Sequence, residues 1–225
     1  GFGLILTLSL VVWLKETGKR DLKALETKEI VKSFIILSKS KIFICFTLVT
    51  LGPFAGLLCI LAGLSSVLID YMGISVPTFG YYFAIIMVGN LLASILVGKL
   101  SNFLKSFNLI FIGAIICCLS GILAFMFALF GAINPLSIVL PAAGFMIGFP
   151  FVVSAATAEA MAPFPTIAGK ASSLIGLIQL GCGAIISLII SWISDGSQFP
   201  LVLALMSSGI FSIIPLRMAY NLDER

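Results

Sequence analysis

The sequence predicts an all-α membrane protein: a six-helix transmembrane bundle, preceded by the end of a further helix. Three observations carry this. Of the 225 residues, 60% are hydrophobic and 10% charged, against about 45–50% and about 25% in a soluble domain. The apolar residues fall in blocks long enough to cross a bilayer core, which takes roughly 20 residues. The basic residues sit only in alternate connections between those blocks. In lipid a chain must satisfy its own backbone hydrogen bonds, so such blocks become helices. The short alternating segments of a membrane β-barrel are not seen in the sequence.

The blocks define six complete spans, at 42–69, 79–98, 107–130, 136–158, 171–193 and 200–216. An opening block at 1–14 reaches only roughly 21 Å at about 1.5 Å per residue. That is too short to cross, and it reads as the end of a helix whose upstream part lies outside the sequence. A secretory signal would need a basic segment before the block and a small-residue cleavage site after it. Neither is present. Residues 15–41 form a polar, basic linker, 42–218 the bundle and 219–225 a tail. Within the linker, 21–33 reads as an amphipathic surface helix with Leu22, Leu25, Ile30 and Phe34 on one side.

Charge sets the orientation. Lys15, Lys19, Arg20, Lys23, Lys28, Lys32, Lys39 and Lys41 precede the first complete span. Lys99 and Lys105 follow the second, Lys170 precedes the fifth, and Arg217 and Arg225 follow the sixth. The connections around Asp70, at 131–135 and around Asp195 carry no Lys or Arg. All 13 basic residues therefore fall on one side, predicted to be cytoplasmic. The net charge of +4 reports topology and gives no support to a nucleic-acid partner.

The sequence points away from an enzyme. It has no His, no phosphate-binding glycine loop, no nucleophile elbow and no paired carboxylates inside a span. Cys45, Cys59, Cys117, Cys118 and Cys182 all lie in predicted spans without metal-ligand spacing, and they read as small packing residues. No metal site and no cofactor is expected.

Small or polar residues recur at helical spacing in three spans. They are Met87, Asn90, Ser94 and Gly98 in the second, and Gly113, Cys117, Ser120 and Ala124 in the third. In the fifth they are Gly169, Ser173, Gly176, Gln179, Gly183 and Ser187. Small residues let helices approach closely in lipid. Asn90 and Gln179 stand apart, because an amide deep in a span is costly unless paired or wet. Each is read as either a cavity-lining group or an interhelical hydrogen bond. Pro53, Pro141, Gly148 and Pro150 interrupt the first and fourth spans and are candidate hinges. Glu159 stands at the basic end of the fourth span, as an interfacial cap or an ion-pair partner for Lys170.

One run is more specific. Ala162-Pro163-Phe164-Pro165-Thr166-Ile167-Ala168-Gly169-Lys170-Ala171-Ser172-Ser173-Leu174, then Gly176 and Gln179, resembles the entry to the eleventh helix of the Bcr/CflA-type drug:proton antiporters of the major facilitator superfamily. The segment from Gly73 to Gly80 resembles the entry to the eighth. Leu14-Lys15-Glu16-Thr17 is similar to the end of the sixth, with Lys15 where Pro is usual. Gly98-Lys99-Leu100-Ser101-Asn102 resembles a worn form of the superfamily's cytoplasmic loop, with Asn102 near an expected acid. Ser65-Ser66-Val67 departs from the group's Ser-Pro-Phe.

The resemblance covers nearly the whole chain and identifies it as a carboxy-terminal half. It implies secondary active transport by alternating access, with small molecules leaving in exchange for protons across a bacterial inner membrane. It implies that the first, second, fourth and fifth spans line the cavity and that the third and sixth face lipid. Phe54, Met87, Asn90, Phe149 and Gln179 are then the candidate cavity residues, and Pro163, Pro165 and Gly169 join the hinge candidates. The proton-carrying acids are expected in an amino-terminal six-helix half. Two other readings remain: an importer of a metabolite on the same fold, and a stand-alone, non-transporting six-helix membrane protein.

Overall fold

The computed structural model describes Gly3 and residues 27–131, 133–193 and 197–223, with side chains omitted at Thr27 and 217–223. The opening block apart from Gly3, the first part of the linker with Leu22 and Leu25, and Asp195 and Arg225 lie outside the described residues.

Helix α1 is Thr27–Lys39, which overlaps the helix expected at 21–33 from residue 27 on; the first part of that expectation, 21–26, lies outside the described residues. Ser40 separates it from α2 (Lys41–Ser65) and caps α2, its side chain accepting from the Phe43 amide. A π-helical turn, Ser66–Tyr71, extends α2. Helices α3 (Val76–Leu100), α4 (Ser106–Leu129), α5 (Pro135–Met161), α6 (Ala168–Ile193) and α7 (Phe199–Asp223) follow, with a 3-10 turn at Pro165–Ile167 before α6. Among the described residues, six helices are long and apolar enough to cross a membrane. The chain is an all-α integral membrane protein.

The ends follow local chemistry. Pro77 and Pro135 sit in the first turns of α3 and α5, where a missing N–H costs nothing. Asn134 caps α5 by accepting from the Leu136 amide at 3.0 Å. Gly73 and Gly131 turn the chain with φ of 69° and 66°, the left-handed region that favours glycine. Pro53, Pro141 and Pro150 remain inside continuous helices.

Packing has a two-fold pattern. Helix α4 packs on α5, as α7 packs on α2. Helix α3 packs on α5, as α6 packs on α2. The remaining main pairs are α4 with α7 and α2 with α5. Exchanging α2, α3 and α4 with α5, α6 and α7 thus maps every main contact onto another. This is the signature of two nested three-helix repeats. Helices α2, α5, α4 and α7 form the solid centre, while α3 and α6 flank it, each seated chiefly on a single neighbour.

Glycines make the centre tight. A Cβ on Gly113 would lie 2.8 Å from the Gly148 carbonyl, and one on Gly148 2.7 Å from the Gly113 carbonyl. Gly121 and Gly209 do the same between α4 and α7. Gly56 admits the Phe145 ring between α2 and α5. In lipid, close packing of this kind holds helices together.

Two apolar clusters stack along the bundle. One joins Leu37, Phe43, Val97, Leu109, Ala160, Ala171 and Leu216. It therefore gathers the starts of α2, α4 and α6 with the ends of α3, α5 and α7. The other holds Leu64, Leu68, Ile138 and Leu201. Lys41, Lys99, Lys105 and Lys170 belong to the first end, as the charge pattern requires.

Candidate functional site

The candidate residues lie on α2, α3, α5 and α6, and the structure brings some of them together. Phe54 of α2 and Phe149 of α5 meet with ring centroids 5.3 Å apart and planes inclined at 59°. Both are half-buried, so the pair presents aromatic surface where the two central helices meet. Met87 of α3 packs with Phe149 against the second apolar cluster.

Both amides reach across to a neighbouring helix. Asn90 Nδ2 donates to the Met146 carbonyl of α5 at 3.0 Å. Gln179 is 6% exposed, and its Nε2 donates to Thr50 Oγ1 of α2 at 2.9 Å. The Thr50 hydroxyl donates onward to the Thr47 carbonyl at 2.7 Å. These joints follow the two-fold pattern, α3 to α5 and α6 to α2. The interhelical bond is therefore realised at both amides. One turn beyond Gln179, a Cβ on Gly183 would lie 2.7 Å from Leu58 Cδ1 and 3.6 Å from the Phe54 carbonyl, so α6 sits close on α2 there.

The hinge candidates divide into two sets. Pro53, Pro141, Gly148 and Pro150 are buried within α2 and α5. Gly148 serves close packing on Cys117 and Gly113 of α4. Pro163 and Pro165 are exposed at the turn into α6, and a Cβ on Gly169 would meet open space.

Lys170 does not pair with Glu159. Its Nζ reaches α1, donating to Ser33 Oγ at 3.3 Å and to the Glu29 carbonyl at 3.4 Å. Buried Ser33 itself donates to the Glu29 carbonyl at 2.7 Å. Together with Phe34 and Leu37 in the first cluster, this docks the linker helix on the α2–α6 end.

The small-residue stripes behave differently from one another. On α4, Gly113, Cys117, Ser120 and Ala124 are all buried. On α6, Gly169 and Gly176 meet nothing, and of its three stripe glycines only Gly183 is at a contact. Helices α4 and α7 each bury one side on α5 and α2 and expose another, including Leu119 and Leu123 on α4 and Ile210 and Ile214 on α7. Helices α3 and α6 are the least buried of the six spans.

Two cavities within the spans have neither Phe54 nor Phe149 in their lining. One, of about 310 Å³, runs between α2, α6 and α7 beside Gly52, Ile186 and Phe211. The other, of about 90 Å³, sits at the far end among Cys59, Ser66, Ser187 and Ser197. Thr50 and the Met146 carbonyl were not among the sequence candidates. A threonine and a backbone oxygen carry no signal until their helices are placed. Among the described residues no group of His, Cys, Asp and Glu is arranged to hold a metal.

No protein-family model matches the chain. Curated relatives do. The chain is 30% identical over 184 residues to Multidrug resistance protein D of Escherichia coli (strain K12), across 81% of this chain and 45% of that protein. It is 26% identical over 204 residues to the Bicyclomycin resistance protein homolog of Haemophilus influenzae (strain ATCC 51907 / DSM 11121 / KW20 / Rd), across 89% of this chain and 50% of that protein. The chain spans about half the length of the curated relatives it matches.

Proposed function

The chain belongs to the Bcr/CflA-type transporters of the major facilitator superfamily, and on that premise we propose that it forms the carboxy-terminal half of a proton-coupled exporter of drugs or similar small molecules. The observation that carries the reading is the construction of the bundle. A solid centre of α2, α4, α5 and α7 holds α3 and α6 as flanks with little of their surface covered. Two such bundles facing each other enclose a cavity between them. Rocking them alternately opens it to each side of the membrane.

In this account the open side of α2, α3, α5 and α6 is half of the cargo cavity. Phe54 and Phe149 supply an aromatic floor, and Met87 adds adaptable, polarizable surface. Such a lining suits apolar and aromatic cargo of varied shape. The amides of Asn90 and Gln179 border it. Pro53 and Pro150 weaken α2 and α5 at mid-span, where rocking bends the helices. The linker, the tail and the lysine-rich end face the cytoplasm. The proton-carrying acids belong to the other half.

Drug accumulation in efflux-deficient bacteria tests this. Cells expressing the full-length protein are expected to retain less of a fluorescent lipophilic cation than cells with empty vector. A protonophore is expected to abolish the difference. Equal retention across a panel of lipophilic drugs and dyes, with the protein present in the membrane, rules the reading out.

A further inference from the structure

We propose that Asn90 supplies the hydrogen bond that Pro150 withholds, so that bending of α5 at that point and the seating of α3 are coupled. The proposal rests on the transporter reading for its purpose, but its geometry is independent of it. In an α-helix the amide of each residue bonds the carbonyl four residues earlier. Pro150 has no amide hydrogen, so the Met146 carbonyl loses its backbone donor. Met146 is fully buried, so no water replaces it, and an unpaired buried carbonyl is expensive. The Met146 carbonyl is the very atom on which Asn90 Nδ2 rests, at 3.0 Å.

The setting of Asn90 fits the task. It stands midway along α3, and the buried residues of α3 are Ile86, Ala93 and Val97. With Asn90 these fall at spacings of four, three and four, a single stripe aimed at α5. A Cβ on Gly89 beside it would lie 3.5 Å from Ile147 Cγ1, an ordinary contact distance. The rest of α3 is largely uncovered. The amide is thus the polar centre of the only broad seat α3 has, and it is fixed at the carbonyl that Pro150 leaves without a donor. When α5 bends there, α3 must follow or leave the carbonyl bare. Asn90 acts as a positioning residue through α5.

The related joint differs in a way that supplies a control. Pro53 releases the Val49 carbonyl in α2, yet Gln179 bonds Thr50 Oγ1 instead. Gln179 should therefore be indifferent to whether residue 53 is proline.

The test is a double-mutant cycle in the full-length protein in lipid vesicles, using Asn90→Leu, Pro150→Ala and both. Met146–Ile147 is the single Met–Ile pair of this chain. Carbonyl-¹³C methionine with ¹⁵N isoleucine therefore reports the Met146 carbonyl by solid-state NMR, assigned as the signal that Met146→Leu removes. N90L is expected to move that resonance upfield and to lower the unfolding midpoint and the transport rate. In the P150A background the restored backbone amide serves the carbonyl. There N90L should leave both the resonance and the unfolding midpoint in place. If N90L alone does not accumulate, adding P150A should restore accumulation. Q179L should cost the same with Pro53 as with P53A.

A resonance that ignores N90L overturns the proposal, as does an N90L penalty of equal size in both backgrounds or a double variant that still fails to accumulate. Failure to move any cargo refutes the transporter reading alone, since the spectrum and the unfolding midpoints still judge the joint.

Discussion

Replacing Gly121 by alanine tests how the centre of the bundle is held. A Cβ at Gly121 would lie 2.6 Å from Met206 Cα, 2.7 Å from the Leu205 carbonyl and 2.8 Å from the Met206 nitrogen. Carbon atoms settle at about 3.5–4.0 Å, so α4 and α7 must part by roughly 1 Å. The obstacle is backbone, which cannot swing aside as a side-chain tip can. Overpacking costs about 1–3 kcal/mol, and the upper part of that range applies here. Alanine regains about 1 kcal/mol of helix propensity over glycine. The net expectation for Gly121→Ala is a loss of about 1–2 kcal/mol. Gly176→Ala is the control, because its Cβ meets nothing within 4 Å. It keeps the propensity gain without the clash, so the two variants should differ by about 2–3 kcal/mol, or about 30- to 150-fold in the unfolding equilibrium. Reversible unfolding of the full-length protein in mixed micelles measures this. Gly209→Ala, whose Cβ would lie 2.8 Å from the Cys117 carbonyl, should cost a similar amount. The double variant should cost less than the sum, since the first substitution has already parted the helices. Equal stability of G121A and G176A would refute the packing argument.

Other outcomes follow from the same geometry. Phe54→Ala and Phe149→Ala should each weaken competition by aromatic cargo while the protein still folds, measured as inhibition constants in the efflux assay. Thr50→Val and Gln179→Leu remove the two ends of one bond, so a stability cycle should return a coupling of about 0.6 kcal/mol, with about 1.7 as the ceiling seen for such bonds in membranes. Lys170→Met should speed hydrogen exchange in α1, because it removes the bonds to Ser33 and Glu29. Glu159→Gln should leave that exchange unchanged.

The spans were legible because lipid imposes one rule on every residue in them. Blocks at 42–69 and 107–130 became helices Lys41–Tyr71 and Ser106–Leu129 with shifts of a few residues. The breaks were less legible. Pro141, Gly148 and Pro150 mark weak points in sequence, yet α5 runs unbroken through all three because neighbouring helices support it. Asn90 and Gln179 were visible as costly amides, but their partners were not. A bond to the Met146 carbonyl or to Thr50 exists only once α3 lies on α5 and α6 on α2. The stripes show the same limit. Gly113 and Gly176 occupy similar patterns, yet one meets Phe151 and the other open space. Periodicity places small residues on a face and says nothing of what covers it. Lys170 looked toward Glu159 along the chain and found α1 instead, since the docking of that helix is a tertiary event.

The central claim, that this bundle is half of a proton-driven exporter, is tested most directly in proteoliposomes holding the full-length protein. An inward proton gradient is imposed across vesicles loaded with a lipophilic dye, in the orientation that mimics the cell. The account predicts dye extrusion that scales with the gradient and stops when a protonophore collapses it. Extrusion at the same rate with and without the gradient, or none at all from protein shown to be folded, contradicts it.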